Sequence, residues 1–284
     1  MKNKQQALMY SLQSKNRILV VDKPVVMGIL NVTPDSFYAN SRVALLDQLL
    51  HKAEQMLKAG ATILDLGGQS TRPGSHRLSA DEECARIVTP VERLVKEFPA
   101  AFLSIDTYHS KVAATAIQAG AHMVNDISAG QLDANMLDTI ARFQVPYVIM
   151  HMRGEPQTMQ TNTEYKNVVN DVLNYLIERK NICHQHGIQQ IIIDPGIGFS
   201  KTISQNFELL ANLESFQKVG APLLLGLSRK SFIYKTLDTD PDGALNGSTF
   251  LHAIGLQKGA KILRVHDVQE AIEGVRLFNA LFPN

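Results

Sequence analysis

Cysteine is scarce in this chain. There are only two, Cys84 and Cys183, far apart in sequence and each inside a helical pattern. No metal-ligand spacing surrounds either, so a disulfide framework and a cysteine-based metal site are both excluded, and free, partly buried thiols are expected. Net charge is equally small, +1 over 284 residues. No global field therefore draws the chain to nucleic acid or to a membrane surface, although local basic clusters are not excluded. No apolar run approaches the length of a membrane span. The first residues, MKNKQQALMYSLQSKNRI, lack the apolar core of a signal peptide. A soluble protein of the cytoplasm is expected, with no nucleic-acid partner. A glycine-rich dinucleotide fingerprint, a P-loop and a Ser-His-Asp or Cys nucleophile arrangement are also missing.

What is present is a series. Eight apolar runs, VVMGILNV (25–32), TILDLGG (62–68), AFLSIDT (101–107), HMVNDIS (122–128), PYVIMHM (146–152), QIIIDPG (190–196), PLLLGLS (222–228) and KILRVHD (261–267), carry their polar and charged side chains toward the C-terminal end, Asn31, Asp106, Asn125, His151, Asp194, Ser228 and His266 among them. Most are apolar on successive residues, as in parallel strands buried on both faces. Helical patterns separate them. Leu46, Leu49, Leu50, Ala53, Met56 and Leu57 share one face of 43–59, and Val169, Val172, Leu173, Leu176 and Ile177 share one face of 165–180. Ser79 is placed to cap a helix whose first turn holds Asp81, Glu82 and Glu83. Gly60, Gly120, Gly187 and Gly259 each follow a helical pattern and precede a strand, as at helix C-termini. The fold class is therefore α/β: a single (β/α)8 TIM barrel over 25–284 with a short N-terminal extension, 1–24. Whether that extension caps the barrel bottom is open at this point. An open doubly wound sheet is the alternative, weakened by the length of the series.

In such a barrel the chemistry lies at the C-terminal strand ends. Asn31 ends the first run and can meet a phosphate or a hydrated metal, and Phe37 follows on its loop. The second run leads into Gly67-Gly68-Gln69-Ser70-Thr71-Arg72-Pro73-Gly74, where the glycines permit close approach and Arg72 offers a planar fork to an anion. Of the carboxylates Asp65, Asp106 and Asp126, one is expected simply to bond loop backbone. Asp106 and Asn125, each at a strand exit, are read as ligand-facing. Met150 offers a soft wall to a flat ring, while His151 reads as a satisfied core histidine. Asp194 can accept paired hydrogen bonds from a ring N–H and an adjacent amino group. After the seventh run come Ser228-Arg229-Lys230-Ser231, and Arg264 and His266 close the eighth. Three cations and a histidine are expected to converge on an anion, joined by N–H groups of a helix starting near Ser231.

These residues carry a resemblance. MGILNVTPDSF, GGQSTRPG, SIDT, NDIS, MHM-x-G-x-P-x-x-MQ, DPG-x-GF-x-K, G-x-SRKS and RVHD-V-x-E resemble the motifs of the dihydropteroate synthase family, in that family's order, over residues 27 to 270. The resemblance implies a homodimeric barrel transferase. It would condense 6-hydroxymethyl-7,8-dihydropterin diphosphate with 4-aminobenzoate and release diphosphate, in folate biosynthesis. It also implies that Asp106, Asn125, Asp194 and Lys230 hold the pterin, that Met150 and Phe199 line its pocket, and that Arg264 lies against the ring. Asn31, Arg264 and His266 would take the diphosphate, with magnesium near Asn31. Phe37, Thr71, Arg72, Pro73 and Ser231 would form the aminobenzoate site. Asp106, Lys230 and Arg264 are the expected catalytic groups. The chain departs from the family pattern at Tyr38-Ala39-Asn40-Ser41, where Ser-Asp-Gly-Gly is common, and at Gln69, where many members have Glu. Two other readings are a Schiff-base lyase using the Lys230 amine and a pterin-binding protein without turnover.

Overall fold

Parallel strands need a crossover connection, so alternating strand and helix patterns fold as repeated βαβ units. A computed structural model of the chain describes residues 9–15, 17–32, 39–69, 77–155 and 158–283. It begins with a hairpin, β1 (Tyr10–Ser14) and β2 (Arg17–Val21), paired antiparallel. The eight units follow. β3 (Val25–Asn31) leads to α1 (Ala39–Ala59), β4 (Ile63–Gly67) to α2 (Ala80–Glu97), and β5 (Phe102–Asp106) to α3 (Ser110–Ala119). β6 (Met123–Asp126) leads to α4 (Met136–Phe143), β7 (Tyr147–Met150) to α5 (Val168–Gln185), and β8 (Ile191–Asp194) to α6 (Ile203–Ala211). β9 (Leu224–Leu225) leads to α7 (Ser231–Thr236) and α8 (Leu245–Gln257), and β10 (Ile262–Val265) to α9 (Val268–Leu281).

The eight strands β3 to β10 are parallel, and β10 pairs with β3 to turn the sheet on itself. An isolated bridge, Ile193 to Leu223, joins β8 to the segment that enters β9. This is the (β/α)8 barrel the alternating runs predict, and the open-sheet alternative is set aside.

Side chains from alternate strand positions fill the interior in layers. Met27, Ile63, Phe102, Met123, Val148, Ile192, Leu224 and Ile262 form the lowest layer, and Leu12 and Val21 of the hairpin pack into the same cluster. Polar groups join the hairpin to the last turn of α3 and to the residue before β5: Lys15 Nζ donates to the Ile117 carbonyl at 2.8 Å and Arg17 Nη1 to the Ala101 carbonyl at 2.6 Å. The outer faces of the strands and the inner faces of the helices make one large apolar core.

Local signals act as their chemistry requires. Ser79 and Glu82 form a reciprocal capping box at the start of α2. Gly60, Gly120, Gly187 and Gly259 all have positive φ, between 84° and 120°, which releases the chain from a helix toward the next strand. The thiols of Cys84 and Cys183 are free, and burial pushes that of Cys183 up to about 12, so it stays protonated. α7 has only six residues and contributes little dipole at Ser231, which is less than the sequence reading anticipates.

Candidate active site

The layer above the apolar floor is polar. Asp65 (β4), Ser104 (β5), Asn125 (β6), Asp194 (β8) and Arg264 (β10) lie there, and Asp106 ends β5 one turn of the pleat higher. Arg264 reaches across the barrel. Its Nε donates to Asp65 Oδ2 at 2.7 Å and its Nη2 to Asp106 Oδ2 at 2.6 Å. Asn125 Nδ2 donates to the same Asp65 oxygen at 3.0 Å. Asp65 is fully buried and Asp106 nearly so, which makes this a desolvated ion cluster rather than a surface pair. Burial raises the Asp106 carboxyl to about 7, against the pull of Arg264. Burial also works against the Arg264 charge, but the surrounding carboxylates outweigh it and hold the guanidinium charged.

The opposite wall comes from β8 and β9. Asp194 Oδ1 accepts from the Gly196 amide at 2.7 Å, which caps the turn after the strand. Its other oxygen and the Arg264 side chain both flank Gly226, so Asp194 and Arg264 share one space over a residue without a side chain. Burial raises the Asp194 pKa, opposed first by Lys230. Lys230 donates to the Ile197 carbonyl, and its ammonium lies 4.5 Å from the centre of the Phe199 ring. Burial lowers this lysine to about 8, opposed by Asp194. The turn itself depends on glycine. A Cβ on Gly196 (φ +68°) would strike the His151 carbonyl oxygen at 2.0 Å, and one on Gly198 (φ +87°) would strike Lys230 Cδ at 2.7 Å. Met150, at the end of β7, clusters with Phe199, Tyr108, Ile127 and Met152 as an apolar side of the mouth.

Asp106, Asn125, Asp194, Lys230, Arg264, Met150 and Phe199 thus gather at one barrel mouth. His266 stands beside them at the end of β10, with Nδ1 3.3 Å from Ser228 Oγ. Asn31 is exposed at the end of β3, and its Oδ1 lies 3.3 Å from where a Cβ on Gly67 would be. Ser231 is exposed at the first position of α7. Phe37, Thr71, Arg72 and Pro73 lie outside the described residues.

Arg229 corrects the expected convergence of cations. Its φ of 55° turns it from the mouth, and its fork binds Asp267 through Nε and Nη2, both at 2.8 Å, with Nη1 on Asp242 at 3.1 Å. It straps the β9 loop to the residue after His266 and offers no fork to an anion. Asp126 is the carboxylate committed to loop backbone: it accepts from the amides of Ser128 and Gly130, both at 2.7 Å, and from the Tyr147 hydroxyl at 2.6 Å. His151 is a buried, satisfied histidine. Its Nδ1 sits 3.1 Å from Lys201 Nζ, and burial lowers its pKa to about 2, so the ring is neutral.

Three groups beyond the expected set shape the site. Asp65 is one. Lys201 is another: buried, it donates to the carbonyls of Gly196 and Phe199 at 2.8 and 2.9 Å and so pins the turn below Phe199. Its signal in the sequence is a lysine closing DPGIGFSK. The third is Glu83, which is buried under Gly68 rather than facing solvent at the helix start. Burial raises it to about 8, so it is protonated at neutral pH.

A polar mouth with a planar apolar wall and fixed cations suits a flat heterocycle that bears an anion. The comparisons with known proteins agree. The profile of the pterin binding enzymes matches residues 27–266. Dihydropteroate synthase of Haemophilus influenzae is 43% identical over 271 residues, covering 95% of this chain and 98% of that protein. The chain belongs to the pterin binding enzymes, among the dihydropteroate synthases. Solved members share its fold: the Xanthomonas albilineans synthase with 4-aminobenzoic acid superposes with a TM-score of 0.90 at 37% identity, covering 98% of this chain and 100% of that one. The same organism's enzyme in complex with 7,8-dihydropteroate gives 0.85 at 34% identity, covering 96% and 99%. Membership makes the chain a transferase of folate biosynthesis and leaves the lyase reading without support. Among the described residues no helix is long and apolar enough to cross a membrane.

Proposed function

We propose that the mouth condenses 6-hydroxymethyl-7,8-dihydropterin diphosphate with 4-aminobenzoate, giving 7,8-dihydropteroate and diphosphate. The observation that carries the assignment of roles is the single cluster of Asp65, Asn125, Asp106 and Arg264 facing Asp194 and Lys230. Asp106, Asn125 and Asp194 present acceptors to the amino and N–H edge of the ring, and Lys230 donates to its oxygen. Met150 and Phe199 hold its faces. Arg264 and His266 receive the diphosphate, and Ser231, with Phe37, Thr71, Arg72 and Pro73, serves the aminobenzoate.

The C–O bond between the pterin methylene and diphosphate breaks first. The leaving group departs readily because fixed cations stabilise the charge it gains. The methylene cation left behind is spread over the ring, and the ionised Asp106 carboxylate stabilises it at close range. The aromatic amine then attacks that carbon, a C–N bond forms, and the amine proton passes to solvent. No covalent enzyme intermediate is needed, which agrees with the missing nucleophile.

The residues fit a magnesium ion that arrives with the diphosphate. Among the described residues no cluster of three or more His, Cys, Asp or Glu could hold a metal. Magnesium is often held by one or two protein oxygens plus phosphates and water, and the exposed Asn31 amide oxygen supplies such a ligand. When bound, the ion neutralises charge on the diphosphate. We further assign the enzyme to the cytoplasm as a homodimer, with residues 25–284 as the catalytic barrel and 1–24 as an extension that seals its bottom. The test is diphosphate release by purified protein with magnesium: release that depends on 4-aminobenzoate is expected, and none at all overturns the assignment.

A further inference from the structure

Asp65 has no obvious route to a ligand. It is fully buried in the middle of β4, in the same layer as Asn125, Asp194 and Arg264, which line the mouth. It nevertheless touches two of them, Arg264 and Asn125, through one oxygen. Among the described residues its other oxygen, Oδ1, has no hydrogen-bond partner. A buried carboxylate with an orphan oxygen is a poor choice for stability, and the layer below is filled by apolar side chains (Leu, Ile, Val, Met and Phe) instead. A functional constraint explains why it is kept.

The constraint lies in donor and acceptor direction. A carboxylate paired with a guanidinium only accepts. The Asn125 group that faces it must therefore be the NH2, whatever else surrounds the amide. The amide oxygen of Asn125 is then turned the other way, and among the described residues nothing donates to it. Arg264 is committed in the same manner: Nε and Nη2 go to Asp65 and Asp106, which sets the roll of the fork and leaves Nη1 for a ligand.

We propose that Asp65 is a positioning residue that sets the hydrogen-bond polarity of the ring pocket, by holding the Asn125 amide oxygen toward the ring and fixing the roll of Arg264. The proposal rests on the pterin reading above. It makes the pocket wall of Asp106, Asn125 and Asp194 uniformly accepting, which selects a 2-amino-4-oxo ring over a 2,4-dioxo ring. In Asp65→Asn the shape is retained, but the charge that forbids the reversed Asn125 amide is gone. Asn125 can then offer a donor where the dioxo ring has a carbonyl.

The experiment compares binding of 6-hydroxymethylpterin and 6-hydroxymethyllumazine by calorimetry, in wild type and Asp65→Asn. Wild type is expected to prefer the pterin, and the variant to lose at least about tenfold of that preference, the worth of one misdirected hydrogen bond. A variant that keeps the full preference and merely melts earlier overturns the inference and makes Asp65 a structural residue. Wild type that binds neither ring overturns the pterin reading, and this inference with it. Should Asp65→Asn not fold, the wild type decides. With 15N-asparagine labelling, the Asn125 side-chain NH2, assigned by its loss in Asn125→Asp, must exchange far more slowly than exposed amides. Exchange at the exposed rate overturns the proposal.

Discussion

Replacing Arg264 with Met removes the one cation shared by two buried carboxylates and keeps most of the side-chain length. Asp65 and Asp106 have side chains 0% and 8% exposed, and their bonds to Arg264 are 2.7 and 2.6 Å. Breaking a buried pair by deleting one partner costs about 3–5 kcal/mol, because the remaining charge stays desolvated. The loss depends on pH. The Asp106 carboxyl, which burial raises to about 7 even against the pull of Arg264, binds its proton still more tightly in the folded state without the guanidinium. A group with a raised folded pKa favours the folded state at low pH, and this advantage is lost as pH rises through that pKa. Arg264→Met is therefore expected to lose about 3–5 kcal/mol relative to wild type at pH 8, roughly 6–15 °C in Tm for a chain of this size. The loss should shrink by half or more at pH 5. Urea titrations followed by circular dichroism at both pH values measure it. A loss equal at the two pH values, or within about 1 kcal/mol of wild type at pH 8 as for an exposed pair, would refute the reading of a desolvated cluster.

Other outcomes follow from the same geometry. Because Asp106 must be ionised and sits at about 7, while Lys230 must be protonated and sits at about 8, kcat/KM for the pterin diphosphate should rise through the first value and fall above the second; a flat profile from pH 6 to 9 contradicts these roles. Asp194→Asn should weaken pterin binding by roughly 10–100-fold, the loss of a charge-assisted bond, with the KM for 4-aminobenzoate little changed; the reverse pattern would misplace the ring. Tyr147→Phe removes the hydroxyl that donates to buried Asp126 and should cost about 1–3 kcal/mol of stability in a denaturant titration, with substrate KM values near wild type. Arg229→Ala should raise the KM for pterin diphosphate by loosening the strap between Lys230 and His266, and restoring the charge as Arg229→Lys should recover only part, since lysine lacks the fork.

The barrel was legible because its strands are buried on both faces. Runs such as IIID and ILRV are apolar on successive residues and carry a charged residue at or next to the C-terminal end, and that combination marks both a parallel strand and the rim it points to. Asp106, Asn125 and Asp194 could be chosen for the same reason, as polar residues at strand exits. Asp65 could not. It lies two residues before the end of β4, and nothing in its neighbours tells that Arg264, on β10, will reach it across the barrel. Arg229 misled for a related reason: its place between Ser228 and Lys230 suggests a shared target, but a left-handed backbone angle sends its side chain to Asp267. Glu83 read as a dipole partner because its position in the first turn is plain, whereas its burial depends on the packing of α2 under Gly68. The roles of Phe37, Thr71, Arg72 and Pro73 rest on the motifs alone.

The most direct measurement is a crystal structure with a 6-hydroxymethylpterin phosphate soaked in. The ring must lie against Met150 and Phe199, with its amino edge on Asp194, its oxygen on Lys230 and its phosphate toward Arg264 and His266. A ring bound elsewhere, or bound at the mouth with Asp194 and Lys230 untouched, contradicts the account.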